Sequence, residues 1–394
     1  MVPAVLRHRC LVAALLAAPF AVPAVLAQES PPASSKAISG ALQPLVDSHC
    51  LAGAVTLVAD KDRILSQNAV GYADIAAGKP MTTDALFWIA SQSKPITAIA
   101  LMMLVDEGKL ALDDPVEKHL PEFHHQWLTV EQDSAHLLLK QPKRPIKVRE
   151  ILSHTSGLPF ASAAEQPTLD LLPLRVGALS YAMTPLLFEP GSKYQYSNAG
   201  INTAGRIMEV KSGMPYEDFL ETRLLRPLGM NDTTFWPSSE QLSRLAKSYK
   251  PAKNGSGLEE TIITHLKYPL SDRTRQPMPA GGLFSTAHDL ARFCQMIYNG
   301  GVFEGKRYLS RAAVDELTRK QTPDHVKDGY GLGWATGGGS FGHGGVYSTN
   351  MTIDRDRGLI YVFLVQHAGF PGNGGSSFEA FKKAAAEEFG KKGR

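Results

Sequence analysis

Ser91 and Lys94 place a hydroxyl and an amine three positions apart at the start of an apolar run. On a helix, positions i and i+3 lie on one face, so the two side chains are expected to meet. A serine hydroxyl is a weak nucleophile, but an amine nearby can take its proton if burial or a neighbouring cation lowers the pKa of that amine. The pair therefore indicates acyl transfer to a serine, although the same spacing is also typical of a helix cap followed by a solvated lysine.

The run that follows favours the first interpretation. Residues 96–105 contain a single polar side chain, and a helix that is apolar all round is buried. Pro95 is tolerated in the first turn, where its missing N–H has no helical partner. We therefore expect Ser91 to lie at the edge of a core and not on an open surface.

Two later segments carry further polar groups. The first contains Tyr196 and Asn198 and follows a Pro-Gly turn, and the second is His343-Gly-Gly, ahead of a strand-like run. Tyr196 could shuttle a proton if a nearby ammonium lowers its pKa. The amide of Asn198 could hold Lys94 or a substrate carbonyl, and His343 is expected to add a hydrogen-bond donor.

The glycines of the second segment have a separate predicted role. Gly344 and Gly345 let a strand backbone approach a substrate closely. The N–H of Val346, together with the N–H of Ser91, is predicted to form an oxyanion hole. Each segment taken alone is also typical of an ordinary turn or loop, and we interpret His154 as part of a buried turn network.

Together these motifs resemble the penicillin-recognising serine hydrolases: class C β-lactamases, D-alanyl-D-alanine carboxypeptidases, D-aminopeptidases and β-lactamase-like esterases. The resemblance covers nearly all of the chain after residue 27 and rests on Ser-x-x-Lys, Tyr-x-Asn and His-Gly-Gly in this order. It implies that Ser91 is the nucleophile and that Lys94 and Tyr196 exchange its proton. It also implies contacts to the substrate or the oxyanion from Asn198, His343, Gly344, Gly345 and Val346. No metal ion or organic cofactor is expected.

The third motif departs from the class C β-lactamases, which usually carry Lys-Thr-Gly there. That lysine helps to bind the β-lactam carboxylate, whereas the neutral imidazole of His343 attracts anions less. The resemblance therefore implies a hydrolase of small-molecule esters, amides or peptides, of the esterase or D-peptidase type. The alternatives are a β-lactamase with weak or true β-lactam hydrolysis and a non-catalytic binding or sensor member of the family.

The pattern of predicted elements indicates an α/β (α+β) fold with an antiparallel sheet flanked by helices and an inserted all-helical domain. Strand-like runs occur at both ends of the chain, with helical and loop-rich sequence between them. Residues 28–90 and 275–394 are predicted to form the sheet domain and residues 91–274 the helical domain. The site would lie at their junction.

The first 27 residues read as a secretory signal peptide, with Arg7 and Arg9 ahead of an apolar stretch and small residues up to Ala27. This predicts a secreted protein, in a bacterium a periplasmic one. No later stretch approaches the ~20 apolar residues needed to span a bilayer. The formal net charge of +3 gives no electrostatic reason to expect binding to nucleic acid or to a membrane surface. Cys50 and Cys294 could form one disulfide, but two buried free thiols are favoured, and the sequence selects no oligomeric state.

A different hydrolase motif also occurs. Residues 338–342 match Gly-x-Ser-x-Gly around Ser340, and Asp354 and His367 follow in the order of an α/β-hydrolase triad. That motif needs a strand before it and a helix after it, whereas here a strand-like run follows. The sequence therefore favours Ser91 as the nucleophile.

Overall fold

An eight-stranded antiparallel sheet joins segments from both ends of the chain in the computed structural model, which describes residues 1, 33–253, 255–327 and 329–391. In chain order the strands are β1 (Gly53–Ala59), β2 (Ile64–Asp74), β3 (Lys79–Pro80), β4 (Phe87–Trp88), β5 (Leu128–Gln132), β6 (Leu137–Lys140), β7 (Ser248–Pro251), β8 (Leu258–Thr261), β9 (Phe284–Ser285), β10 (Val302–Phe303), β11 (Lys306–Arg307), β12 (Gly329–Tyr330), β13 (Ala335–Gly337), β14 (Ser340–Gly344), β15 (Asn350–Asp354) and β16 (Leu359–Leu364). The sheet has the order β12-β13-β14-β15-β16-β1-β2-β3, so the two ends of the chain meet where β1 pairs with β16.

Helices cover both faces of this sheet. The α-helices of the described residues are α1 (Lys36–Asp47), α2 (Ser93–Asp106), α3 (Val148–Leu152), α4 (Leu174–Met183), α5 (Asn198–Ser212), α6 (Tyr216–Leu220), α7 (Arg226–Leu228), α8 (Ser239–Ser243), α9 (Ala287–Tyr298), α10 (Arg311–Thr318) and α11 (Ser377–Phe389). Helices α1 and α11 pack on one face, and α9 packs on the other. The predicted antiparallel sheet flanked by helices is therefore confirmed.

The central strands are buried along their whole length because both of their faces are covered. Every residue of β1 and of β16 is buried, and both strands are rich in β-branched, aromatic and other apolar side chains. Val55 and Leu57 face the core that contains α2 and α9. Ala54 and Val58 face the smaller core under α1 and α11. The sheet is therefore a fixed platform for the elements at its far edge.

Helices are the main regular elements between residues 91 and 274, but the prediction that this region is all-helical is wrong. It contains two hairpins, one formed by β5 and β6 and the other by β7 and β8. In the first hairpin the Asp133 carboxylate accepts hydrogen bonds from the N–H groups of Ala135 and His136 and so closes the turn. These strands are short and half-exposed, so their sequence carries little periodicity. The predicted domain boundaries stay a prediction.

Apart from Met1, the predicted signal peptide lies outside the described residues. Across the part of the chain that the structure describes, no helix combines the length and apolar character that crossing a bilayer requires.

Candidate active site

Ser91 lies in a short 3-10 turn, Ala90–Gln92, directly before α2. The α-helix itself begins two residues later, at Ser93. Ala90 has a φ of 46°, a left-handed conformation that costs a non-glycine residue about 1–3 kcal/mol. The Ser93 hydroxyl donates to the Ala90 carbonyl (2.7 Å) and accepts from the N–H of Leu283 (3.2 Å). These bonds hold the turn in its strained form and fix the direction of the Ser91 side chain.

Lys94 is buried one helical turn below Ser91. Its Nζ lies 3.0 Å from Ser91 Oγ and donates to the carbonyl oxygen of Ala280 at 2.7 Å. Burial lowers the pKa of the Lys94 amine well below its usual value, which favours the neutral form. A neutral amine has a lone pair, and with one N–H on Ala280 this lone pair can face the Ser91 hydroxyl. The predicted Ser91–Lys94 contact is therefore present.

Tyr196 completes a hydrogen-bonded group of three side chains. Its hydroxyl hydrogen-bonds to Ser91, and its ring centroid lies 4.6 Å from Lys94 Nζ. The prediction that an ammonium lowers the Tyr196 pKa is wrong, because burial raises this pKa more than the bond to Ser91 lowers it. Tyr196 therefore stays a neutral phenol, which can relay a proton but does not hold a negative charge.

Asn198 is the first residue of α5 and lies next to this group. Ser197 caps the helix by accepting from the N–H of Gly200 at 3.0 Å. Within the described residues, Asn198 Oδ1 is buried and has no hydrogen-bond partner, and the side-chain and backbone partners recorded for Lys94 are Ser91 and Ala280. The expectation that Asn198 holds Lys94 is therefore wrong, and the alternative, that its amide holds a substrate carbonyl, stays a prediction.

His343 lies inside strand β14 and not in a loop ahead of a strand. Its Nδ1 lies 2.7 Å from the Gly344 carbonyl, and its Nε2 lies 2.9 Å from the hydroxyl of Tyr330. Burial, helped by the nearby Lys94, lowers the pKa of His343 to about 3, so the ring is neutral and donates through Nδ1 while Nε2 accepts. The expectation that His343 presents a donor to a substrate is therefore wrong, because both nitrogens already have partners in the protein.

Gly345 brings the end of the β14 segment against the Ser91 turn. A Cβ added there would lie 2.7 Å from the Ile89 carbonyl oxygen and 2.3 Å from Thr349 Oγ1, so only glycine allows this approach. Val346 follows and is 54% exposed. Apart from bonds internal to a helix or strand, neither the N–H of Ser91 nor that of Val346 donates to a backbone carbonyl among the described residues. This arrangement is compatible with the predicted pair of oxyanion donors.

His154 is fully buried behind Tyr196, as its interpretation as part of a buried turn network predicts, but its contacts with the Tyr196 segment were not foreseen. The carbonyl of His154 accepts from Gln195 N–H (2.9 Å), and its Nδ1 accepts from Ser197 N–H (3.1 Å). Its ring lies 4.4 Å from that of Tyr196 and 4.6 Å from that of Tyr330. His154 therefore hydrogen-bonds to the residues on both sides of Tyr196 and fixes their positions. In the sequence, His154 is marked by the hydroxyl residues around it. Ala280, whose carbonyl accepts from Lys94, was not predicted, and its sequence mark is the pair of glycines that follows it.

No group of three or more histidine, cysteine, aspartate or glutamate side chains in the described ranges is arranged to hold a metal ion. Cys294 is buried and Cys50 is only half-buried, and both are free thiols. The favoured prediction of two free thiols is therefore confirmed, but the expectation that both are buried is wrong for Cys50.

Comparison with known proteins places this geometry in a family. The chain is 34% identical over 366 residues to protein Rv1367c of Mycobacterium tuberculosis, covering 83% of this chain and 88% of that protein. It is 29% identical over 376 residues to esterase EstB of Burkholderia gladioli, covering 85% and 90% of the two chains. Its fold superposes with a TM-score of 0.74 on EstCE1, a hydrolase with promiscuous acyltransferase activity, at 26% identity and with 89% and 97% of the chains covered. The family model described as beta-lactamase matches residues 38–384, and the chain therefore belongs to this family of serine hydrolases.

Proposed function

We propose that the chain hydrolyses carboxylic esters whose groups beside the scissile bond are uncharged, through an acyl-enzyme on Ser91. The observation that carries this proposal is the environment of His343, at the motif position where class C β-lactamases usually carry a carboxylate-binding lysine. The ring of His343 is neutral and both of its nitrogens bond to protein atoms. The likeness to esterase EstB supports the same substrate class.

In the proposed first step, Ser91 Oγ attacks the ester carbonyl carbon and its proton passes to Lys94 Nζ, 3.0 Å away. The negative charge that forms on the carbonyl oxygen accepts hydrogen bonds from the N–H groups of Ser91 and Val346. When the tetrahedral intermediate collapses, the bond to the alcohol oxygen breaks. The Lys94 ammonium returns a proton to this oxygen, with the Tyr196 hydroxyl as the relay.

Deacylation repeats these steps with water. Lys94 accepts a proton from the water that attacks the acyl carbon, and Ser91 Oγ leaves and recovers a proton. The amide oxygen of Asn198, which lacks a protein partner, accepts a hydrogen bond from a substrate donor where one is present. Each proton taken by Lys94 is returned within the same half-reaction, so no cofactor is needed.

A substrate carboxylate would find little positive charge in this site. Among the described residues, the basic side chain that acts on the pKa of His343 is Lys94, whose own pKa is lowered by burial. Exposed apolar side chains flank the nucleophile instead, with Phe160 stacked 6.5 Å from the Tyr196 ring and Val346 next to Gly345. These contacts favour an apolar ester over a penicillin or a peptide with a free carboxyl end.

The test compares a short-chain p-nitrophenyl ester, a D-amino-acid amide and a chromogenic cephalosporin. Ser91→Ala should abolish turnover, and Ser340→Ala is the matched control, because it removes a serine hydroxyl whose protein partner is the Gly337 carbonyl. We expect the ester to have the highest kcat/KM. Dominant cephalosporin turnover would refute the substrate class.

The same experiment separates the alternatives. Loss of activity in Ser340→Ala with retention in Ser91→Ala would assign the nucleophile to the Gly-x-Ser-x-Gly segment. Failure of a fluorophosphonate probe to label Ser91 in the folded protein would identify a non-catalytic member of the family.

We also propose that residues 1–27 direct export and are removed. Support comes from the basic start around Arg7 and Arg9 and from the apolar stretch that follows. Mass spectrometry of the protein recovered from a bacterial periplasm should give a chain that begins at Gln28. An uncleaved chain in the cytoplasmic fraction would contradict this proposal.

A further inference from the structure

A line of hydrogen bonds runs from Lys94 away from the groove and into the helical region. The Ala280 carbonyl accepts from Lys94 Nζ (2.7 Å), and the N–H of Ala280 donates to Asn202 Oδ1 (3.0 Å). Asn202 Nδ2 donates to the Tyr181 hydroxyl (3.0 Å), which donates to Glu165 Oε1 (2.5 Å). None of these five residues is more than 4% exposed, so water does not compete for the bonds.

The direction of every bond in this line is fixed. A backbone N–H can only donate, so the Asn202 amide must turn its oxygen toward Ala280 and its NH₂ toward Tyr181. The Tyr181 hydroxyl accepts from that amide, and its own proton then points to Glu165. The line therefore has one polarity, with each donor pointing away from Ser91 and toward a carboxylate.

The far end of the line is anchored independently of the active site. The second oxygen of Glu165 accepts from the N–H of Ser162 at 2.8 Å. Tyr181 belongs to α4 and Asn202 to α5, so the line also ties these two helices to the Ala280 segment. A displacement of any member would move the carbonyl on which Lys94 rests.

We propose that Asn202 is a positioning residue for Lys94, acting through the backbone of Ala280 and supported by Tyr181 and Glu165. When Lys94 takes a proton from Ser91, its new ammonium bonds to a carbonyl that this line holds in place. Asn202 touches neither the substrate nor Ser91. The proposal rests on the proposed role of Lys94 as the base.

Few titratable groups among the described residues lie close enough to Lys94 to influence its pKa. The titratable side chains facing it are His154 on the loop after α3, Tyr196 ahead of α5, and His343 on β14. Burial lowers the pKa of both histidines and raises that of Tyr196, so all three stay neutral around pH 7. A change in the pH profile therefore reports on Lys94 itself.

The test variant is Tyr181→Phe, which removes one hydroxyl and keeps the ring. Its matched control is Tyr361→Phe, since the Tyr361 hydroxyl is buried in the sheet without a hydrogen-bond partner among the described residues. In Tyr181→Phe we expect the plateau of kcat/KM to fall about tenfold and its ascending limb to move to lower pH, because the Lys94 ammonium loses stabilisation. Tyr361→Phe should match the wild type in both.

A second variant covers the case in which Tyr181→Phe does not fold. Glu165→Gln keeps an acceptor for Tyr181 but removes the charge, and it should move the limb in the same direction by a smaller amount. A wild-type profile in both variants, or a lower plateau with an unmoved limb, would overturn the proposal. The rate at which a fluorophosphonate labels Ser91 is measured in parallel, so the inference is tested even if the wild type hydrolyses no ester.

Discussion

Replacing Gly345 by alanine tests whether the end of β14 supplies an oxyanion donor. The added Cβ would lie 2.7 Å from the Ile89 carbonyl oxygen, whereas ordinary contact begins at 3.4 Å, so the two backbones must separate by several tenths of an ångström. Thr349 Oγ1, at 2.3 Å, must move as well, and Thr349 is buried. The relief therefore comes from a shift of the segment that leads into Val346.

The expected loss of activity follows from that shift. A misplacement on the order of 1 Å, or the loss of one oxyanion donor, lowers the rate about 100-fold, which corresponds to about 2.7 kcal/mol. Overpacking costs about 1–3 kcal/mol of stability, so the variant should still fold. The pKa of Lys94 should be unaffected, because the substitution leaves its contacts to Ser91 and Ala280 intact.

The assay compares kcat/KM for the p-nitrophenyl ester and the fluorophosphonate labelling rate, with thermal unfolding as the check on folding. Gly337→Ala is the matched control, because a Cβ at this end of β13 meets no heavy atom within 4 Å. A Gly345→Ala variant that folds and keeps kcat/KM within about threefold of the wild type would refute the assignment of a donor to this segment.

Four further outcomes follow from the site and its surroundings. In His154→Phe the loss of a buried acceptor beside Tyr196 should lower kcat about tenfold. An unchanged kcat would contradict the role of His154 in positioning Tyr196. Because the pKa of Lys94 is lowered and its neutral amine is the base, kcat/KM should rise at pH values well below the ordinary lysine range. An ascending limb near pH 10 would exclude neutral Lys94 as the base. The pKa of His343 in the folded chain, about 3, lies below its usual 6.5, so the unfolded chain binds more protons between these pH values. The free energy of unfolding should therefore fall as the pH drops from about 6.5 toward 3. The urea midpoints at pH 7 and pH 5 should differ less in His343→Gln than in the wild type. A thiol reagent should modify Cys50 in the folded protein and Cys294 only in denaturant, because Cys294 is buried and burial raises its pKa.

Local sequence patterns were sufficient for the sheet and for the Ser91–Lys94 pair. The buried run after Ser91 has a helical length, and a spacing of three on a helix brings two side chains together whatever surrounds them. The short hairpins at residues 128–140 and 248–261 escaped prediction because half-exposed strands of four or five residues leave no clear period.

The electrostatic state of the site depends on tertiary burial, which no spacing reveals. Tyr196 was expected to shuttle a proton with help from an ammonium that lowers its pKa, and His343 was expected to offer a donor. The pKa of Tyr196 is raised instead, and both nitrogens of His343 have protein partners. Their partners, Ser91 and Tyr330, are known only from the folded chain, in which burial raises the pKa of Tyr196 and lowers that of His343. Asn202 reads as an ordinary helical residue until the fold places it beside Ala280.

Of the segments that form the site, the end of β14 with Gly345, Val346 and Thr349 is translated last. Thr349 Oγ1 donates to the Ile89 carbonyl across 260 positions of sequence, and β14 pairs with β15, which in turn pairs with β16. A growing chain therefore holds its nucleophile long before it holds the surface that stabilises negative charge. We expect chains that end before residue 340 to be inert toward esters, so that the cell producing the protein is exposed to the hydrolase only as a finished molecule.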